Sequence, residues 1–124
     1  MEAASKFVAL MFLGRDLAHR AHLAAKGEGS FARHMALGEF YESITELADT
    51  FTEQYQGEYE EILDIPLLDN DEAGDIRSVL KRQKDWIVKN RYEVCEREET
   101  ALQNTIDEVV KQYQSTNYKL LFLK

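Results

Sequence analysis

Four residues in the first half of the chain have the types and spacing of a metal site. His22, His34, Asp49 and Glu53 follow one another at steps of 12, 15 and 4 residues. Imidazole nitrogens and carboxylate oxygens together suit Fe, Mn or Zn, whereas Ca²⁺ takes oxygen ligands only. The set therefore predicts a site for iron or a related metal.

The spacing divides these ligands into two half-sites. The apolar pattern predicts one helix over residues 31–56, in which His34 and Asp49 lie about 22 Å apart at about 1.5 Å per residue. One ion cannot contact both, because such ligands lie about 2 Å from a divalent cation. Asp49 and Glu53 are four residues apart and can bind one ion from one helical face. The two histidines lie six residues either side of Glu28, so an antiparallel helix pair places both imidazoles at one height.

Two copies of the chain can complete such a site. If the helices cross antiparallel about a two-fold axis near Glu42, the histidines of one copy meet the carboxylates of the other. On a helical wheel with His34 at zero, Asp49 and Glu53 fall at roughly 60° and 100°, off the apolar stripe near 280°. These carboxylates face outward from the bundle, and the prediction is a two-fold homodimer with two metal sites.

A wider motif surrounds the four residues. It consists of the run His22-Leu-Ala-Ala-Lys-Gly-Glu-Gly-Ser-Phe-Ala-Arg-His34, then Leu37, Phe40-Tyr41, Ile44, Leu47-Ala48-Asp49 and Glu53. Over residues 19–57 this motif resembles the signature of the Dps family of mini-ferritins. That signature is a His-Trp pair, a Lys/Arg-Gly turn, a Phe, a second His with a carboxylate one turn later, and a final Asp-x-x-x-Glu.

The resemblance implies a ferroxidase with His22, His34, Asp49 and Glu53 as its catalytic and metal-binding residues. Fe(II) would bind between two histidines of one subunit and the two carboxylates of its partner, with Zn or Mn able to take the same site. Hydrogen peroxide or dioxygen would oxidise it, and ferric oxide would be stored inside a hollow dodecamer, which protects against peroxide. The implied fold is all-α, a ferritin-like antiparallel four-helix bundle with a crossover linker between the second and third helices.

Two positions depart from the family pattern. Leu23 stands where the family has Trp, and Gly38 stands where a carboxylate follows the second His by four residues. The missing carboxylate predicts one tight and one weak iron per site. Both departures keep an alternative open, a non-enzymatic oligomeric helical protein with a structural or interaction role on a ferritin-like scaffold.

Each residue taken alone has a simpler interpretation. Asp49 and Glu53 would be typical of a solvated helix surface, and either histidine typical of an interface or a helix cap. His19, one turn before His22, is interpreted as a surface histidine. The metal-site prediction depends on the combination of these residues with the Lys26-Gly27 turn and Phe31.

Composition indicates one small helical domain over residues 1–124. The chain has one Cys, one Pro and six Gly, which leaves few turns and favours long helices. No apolar run approaches the roughly 20 residues of a membrane span, and no basic, apolar leader opens the chain, so a cytoplasmic protein without membrane contact is expected. The net charge of -8 disfavours direct DNA binding, because nucleic-acid affinity depends on Lys and Arg contacts to phosphate.

Several other enzyme classes lack their motifs in this sequence. No Glu-x-x-His pair occurs, so the di-iron site inside a single four-helix bundle cannot be built from this chain. Phosphate-binding glycine loops, CxxC pairs and nucleophile elbows are also missing from the sequence.

Hydrophobic periodicity predicts the elements that carry the site. The first helix is expected from about Ala4 to Ala25, and the second from Ser30 as N-cap to Gln56. Residues 57–70 read as an apolar linker that crosses the bundle, with room for a short helical turn. Asp69 or Asp71 is expected to cap the third helix. The family resemblance places a turn near residues 93–97 before the fourth helix, and one continuous long helix is the open alternative.

Overall fold

Four α-helices account for most of the computed structural model, which describes residues 1–70 and 74–124. They are α1 (Glu2–Ala24), α2 (Ser30–Tyr59), α3 (Ile76–Val94) and α4 (Thr100–Phe122). The described residues contain no β-strand, and none of these helices is long and apolar enough to cross a membrane. The predicted all-α class is confirmed.

The helices pack as a four-helix bundle in the order α1, α2, α4, α3 around its axis. Neighbouring helices run antiparallel. Near its start α2 contacts the end of α4, where Lys119 binds Glu39, and near its end it contacts the start of α4, where Thr105 donates to Gln54. The same direction reversal relates α1 to α3, since Lys6 lies over the Trp86 ring while Gly14 adjoins Gln83 further back along α3.

The connection between α2 and α3 crosses the bundle, as predicted. Within the described residues these two helices lie on a diagonal without direct contact, and both run antiparallel to their shared neighbours. The chain must therefore return along the bundle before α3 begins. Residues 61–70 do so without a helical turn, and the linker is attached by Leu63, which is buried and whose N–H donates to Gln56 Oε1 at 2.9 Å.

The core follows the apolar stripe predicted for the second helix. That stripe was predicted to consist of Leu37, Phe40, Tyr41, Ile44, Leu47, Ala48, Phe51 and Tyr55. All of these are buried in α2 except Tyr41 and Leu47, which are half-buried. Two edge-to-face contacts join this stripe to its neighbours, Phe51 with Phe7 of α1 at 4.8 Å and Phe40 with Tyr113 of α4 at 5.0 Å between ring centroids. Such rings bury large apolar area and fix the rotation of α2. That rotation decides which side chains of α2 face α1.

The ends of α2 differ from the prediction. Ser30 is the first helical residue and not the cap, because Gly29 occupies the N-cap position at a φ of 77° that suits glycine. At the other end the helix continues through Gly57 to Tyr59 and stops at Glu60, which has a φ of 55°. Gly57 is therefore helical, and the linker begins later than predicted.

The start of α3 also needs correction. Its N-cap is Asp75, whose carboxylate accepts a hydrogen bond from the Ser78 N–H at 3.0 Å. Asp69 lies in the linker, and Asp71 lies outside the described residues. The predicted turn before the fourth helix is confirmed, since α3 ends at Val94 and α4 starts at Thr100. One continuous helix is thereby excluded.

Candidate metal centre

His22 and His34 lie together where α1 ends and α2 begins. A short turn reverses the chain between them through Gly27 and Gly29, which have φ values of 92° and 77°. Their imidazole rings stack with centroids 3.6 Å apart and planes inclined by 18°. The symmetric spacing about Glu28 thus brings both rings to the same height, and the two histidines of the predicted half-site lie together within one chain.

Reciprocal hydrogen bonds hold the two rings. His22 Nδ1 donates to the backbone carbonyl of His34 at 2.6 Å, and His34 Nδ1 donates to the carbonyl of His22 at 2.9 Å. A carbonyl oxygen can only accept, so each Nδ1 must carry the proton. In the neutral imidazole the lone pair then lies on Nε2, which is the ring nitrogen that can bind a metal. Metal-binding histidines are typically oriented by this kind of bond from the other ring nitrogen.

The two accepting carbonyls differ in the hydrogen bonds that their own helices give them. His22 belongs to the last turn of α1, where carbonyls have no intrahelical donor, so the His34 side chain satisfies one of them. His34 lies inside α2, where its carbonyl already faces the N–H of Gly38 one turn later. It therefore accepts a second bond, from His22. The pair joins the two helices as well as holding the rings.

Aromatic and imidazole rings continue this cluster. Tyr41 meets His22 edge to face at 5.3 Å, and His19 stacks on Tyr41 with centroids 4.1 Å apart. His19 is exposed, as expected of a surface histidine, yet its ring covers Tyr41 and lies 6.1 Å from His22. All three histidines of the chain thus gather here. The spacing of His19 three residues before His22 was the only sequence signal for this.

A groove of about 660 Å³ opens beside the pair. It is lined by His22 and by exposed apolar side chains, since Phe31 is 76% exposed and Met35 is 55% exposed. Glu39 and Glu42 contribute acidic groups, although Glu39 is paired with Lys119 at 2.7 Å. Exposed apolar side chains beside polar groups are typical of an interaction surface.

Asp49 and Glu53 lie elsewhere. Both are exposed on α2, one turn apart, and neither has an ion-pair or hydrogen-bond partner among residues 1–70 and 74–124. Along α2 they begin about 22 Å from His34, at about 1.5 Å per residue. Over that same part of the chain, no three or more His, Cys, Asp and Glu side chains lie close enough to hold a metal ion. One chain therefore brings together the two histidines but not all four predicted ligands.

Cys95 is separate from this centre. It is buried in the turn before α4, where Gln103 Nε2 lies 3.2 Å from its Sγ. Burial, and secondarily the charge of Glu99, raise the pKa of this thiol to about 11. A thiol held protonated is a poor metal ligand, since the thiolate is the binding form.

Comparison with known proteins places the chain in a family. Its residues 22–120 match the model of the family of unknown function DUF5856, and the chain belongs to that family. No curated protein and no solved structure matches it. The matched segment begins at His22 and contains His34, Asp49 and Glu53.

Proposed function

We propose that this protein is a Dps-like mini-ferritin, a cytoplasmic ferroxidase that binds and oxidises Fe(II) at a site shared by two copies and stores the product. The observation that carries the proposal is the pair of bonds from the Nδ1 atoms of His22 and His34 to backbone carbonyls. These bonds hold the two imidazoles side by side through Nδ1, so that Nε2 is the ring nitrogen each histidine would offer to a metal.

The second half of the site would come from the partner copy. Asp49 and Glu53 are exposed, four residues apart, and without partners in the described chain, which suits carboxylates that bind an ion across an interface. The exposed Phe31 and Met35 beside the histidines supply apolar surface for that interface. A two-fold dimer of this kind is also the unit from which a dodecamer can be built.

The histidines and the carboxylates would have different roles, which follow from their chemistry as ligands. Fe(II) is the substrate, bound by the neutral Nε2 atoms of His22 and His34. The negative charges of Asp49 and Glu53 favour the more highly charged Fe(III), so they stabilise the oxidised product. Reduction of peroxide to water takes two electrons, and two Fe(II) ions supply them without release of radicals. Zn or Mn would compete for the same ligands.

The same bonds also support a second candidate, a non-enzymatic oligomeric helical protein. The reciprocal bonds join α1 to α2 and satisfy an orphan carbonyl whether or not a metal binds. In that case the histidines only join α1 to α2, and the exposed apolar surface serves assembly alone.

Aerobic oxidation of Fe(II), measured together with the mass of the purified protein in solution, separates these candidates. The ferroxidase proposal expects Fe(II) oxidation well above the buffer rate by a dimer or larger assembly. Oxidation no faster than buffer would contradict it and favour the structural candidate. A monomer that bound iron tightly would contradict the shared site.

A further inference from the structure

Gly38 lies directly against the His22 imidazole. A Cβ at position 38 would lie 3.0 Å from Cε1 and 3.2 Å from Nδ1 of His22. Carbon atoms in good contact are about 3.5–4.0 Å apart, so any side chain here would crowd the ring. We propose that Gly38 is a positioning residue, which gives His22 the space to lie on α2 and present its Nε2 to metal; this inference rests on the proposed function.

Backbone conformation does not explain this glycine. Gly38 lies inside α2 and is not among the glycines with positive φ, which in the described chain are Gly27, Gly29 and Gly74. Inside a helix, glycine is the least favourable residue after proline. The reason for a glycine must therefore be the space it leaves, and among the described residues the three atoms nearest to the missing Cβ all belong to the His22 ring.

Helix geometry explains why the space is needed at this position. In an α-helix the carbonyl of residue i faces the N–H of residue i+4, so the His34 carbonyl lies above Gly38. His22 Nδ1 reaches that carbonyl at 2.6 Å and must therefore pass next to residue 38. A side chain at this position would stand where the donor approaches.

The His22 ring cannot move far from residue 38 without losing other contacts. Its neighbour His34 stacks on it at 3.6 Å, and Tyr41 meets it at 5.3 Å between centroids. A shift away from residue 38 would either lengthen the bond from Nδ1 or disturb the stacked pair. Crowding at Gly38 should therefore misplace His22 while leaving the apolar stripe of α2 unchanged.

Gly38→Ala and Gly57→Ala form a matched pair of variants. Both replace a glycine of α2, but a Cβ at position 57 meets no atom of the described residues within 4 Å. With Co²⁺ as the probe metal, Gly38→Ala should lower affinity at least tenfold, and Gly57→Ala should leave it unchanged. Wild-type affinity in Gly38→Ala would overturn the inference.

Two metal-free measurements decide the inference separately from the proposed function. By NMR, the hydrogen-bonded Nδ1–H of His22 should be protected from exchange in wild type and Gly57→Ala, and exposed in Gly38→Ala. The change in melting temperature caused by Gly38→Ala should also be more favourable in a His22→Ala background than in wild type, because alanine at position 38 then has no ring to crowd. If wild type binds no Co²⁺ but both results hold, the proposed function fails, while the role of Gly38 in positioning the His22 ring is retained. If the effects of Gly38→Ala and His22→Ala on the melting temperature are additive, and the His22 Nδ1–H stays protected in Gly38→Ala, the positioning role of Gly38 is contradicted as well.

Discussion

His22 and His34 each donate a hydrogen bond from Nδ1 to the backbone carbonyl of the other, across the junction of α1 and α2. This exchange holds two helices together and at the same time fixes which nitrogen of each ring carries a proton. The stability of the junction and the chemistry of the rings therefore depend on the same pair of bonds. Substitutions at either residue should change both.

Loss of the His34 side chain should destabilise the metal-free protein. His34→Ala removes the donor to the His22 carbonyl at the end of α1 and the stacking partner of the His22 ring. A hydrogen bond of this kind contributes about 1 kcal/mol, so the free energy of unfolding in urea should fall by about that amount. Arg33→Ala, at the exposed neighbouring position, serves as the control and should change little. Equal stability of the two variants would show that the His34 side chain does not stabilise the junction of α1 and α2.

A buried polar contact predicts strong coupling between Gly14 of α1 and Gln83 of α3. Tyr113 donates to Gln83 Oε1 at 2.8 Å, and a Cβ on Gly14 would collide with that same oxygen. Gly14→Ala should therefore destabilise the protein by about 1–3 kcal/mol, the usual cost of overpacking. The cost should largely disappear in a Gln83→Ala background, where the obstructing amide is gone.

A double-mutant cycle of thermal or chemical unfolding measures this coupling. Gln83 Nε2 is buried and has no hydrogen-bond partner among the described residues, so Gln83→Ala alone removes this unpaired donor, the hydrogen bond from Tyr113 and some apolar contacts. Additive effects of the two substitutions would show that Gly14 and Gln83 are not in contact in solution.

The fold was largely predictable because its signals are local. Apolar residues at helical spacing marked each helix, and the diagonal placement of α2 and α3 followed once the linker was too long and apolar for a tight turn. Caps were harder to predict. Several acidic residues precede α3 in the sequence, and the hydrogen bond from the Ser78 N–H identifies Asp75 as its cap.

The candidate site was predictable only in part. Sequence spacing indicated that His22 and His34 would meet, since both positions are fixed by one turn. The bonds to the opposite carbonyls were not predictable, because they depend on the rotation of both helices about their axes. Gly38 was interpreted as a lost ligand, and its contact with the His22 ring became visible only when α1 was placed against α2.

Burial of Cys95 predicts slow thiol chemistry in the native protein. Because folding raises the pKa of this thiol from 9.0 to about 11, its thiolate fraction near neutral pH should be lower by about 100-fold than in the unfolded chain. Alkylation by iodoacetamide at about pH 8 should be correspondingly slow, and should reach its ordinary rate in denaturant.

The same shift has a consequence for stability at alkaline pH. A raised pKa means that the native state holds its proton where the unfolded state loses it, so this contribution to stability is complete below pH 9.0 and is lost as pH rises through about 11. Cys95→Ser should show a smaller loss of stability over that range than wild type. Equal alkylation rates in native and unfolded protein would contradict the burial of the thiol.

The central claim is that two copies complete each other's metal site, and complementation between His34→Ala and Asp49→Ala tests it most directly. The two variants are co-expressed with different affinity tags, and mixed dimers are isolated through both tags. Each variant alone should lack rapid Fe(II) oxidation while keeping its helical content. A mixed dimer combines both lesions in one site and leaves the other intact, so it should recover about half of the wild-type rate. Mixed dimers as inactive as the parents, although wild type oxidises Fe(II) rapidly, would contradict a site built from His34 of one copy and Asp49 of the other.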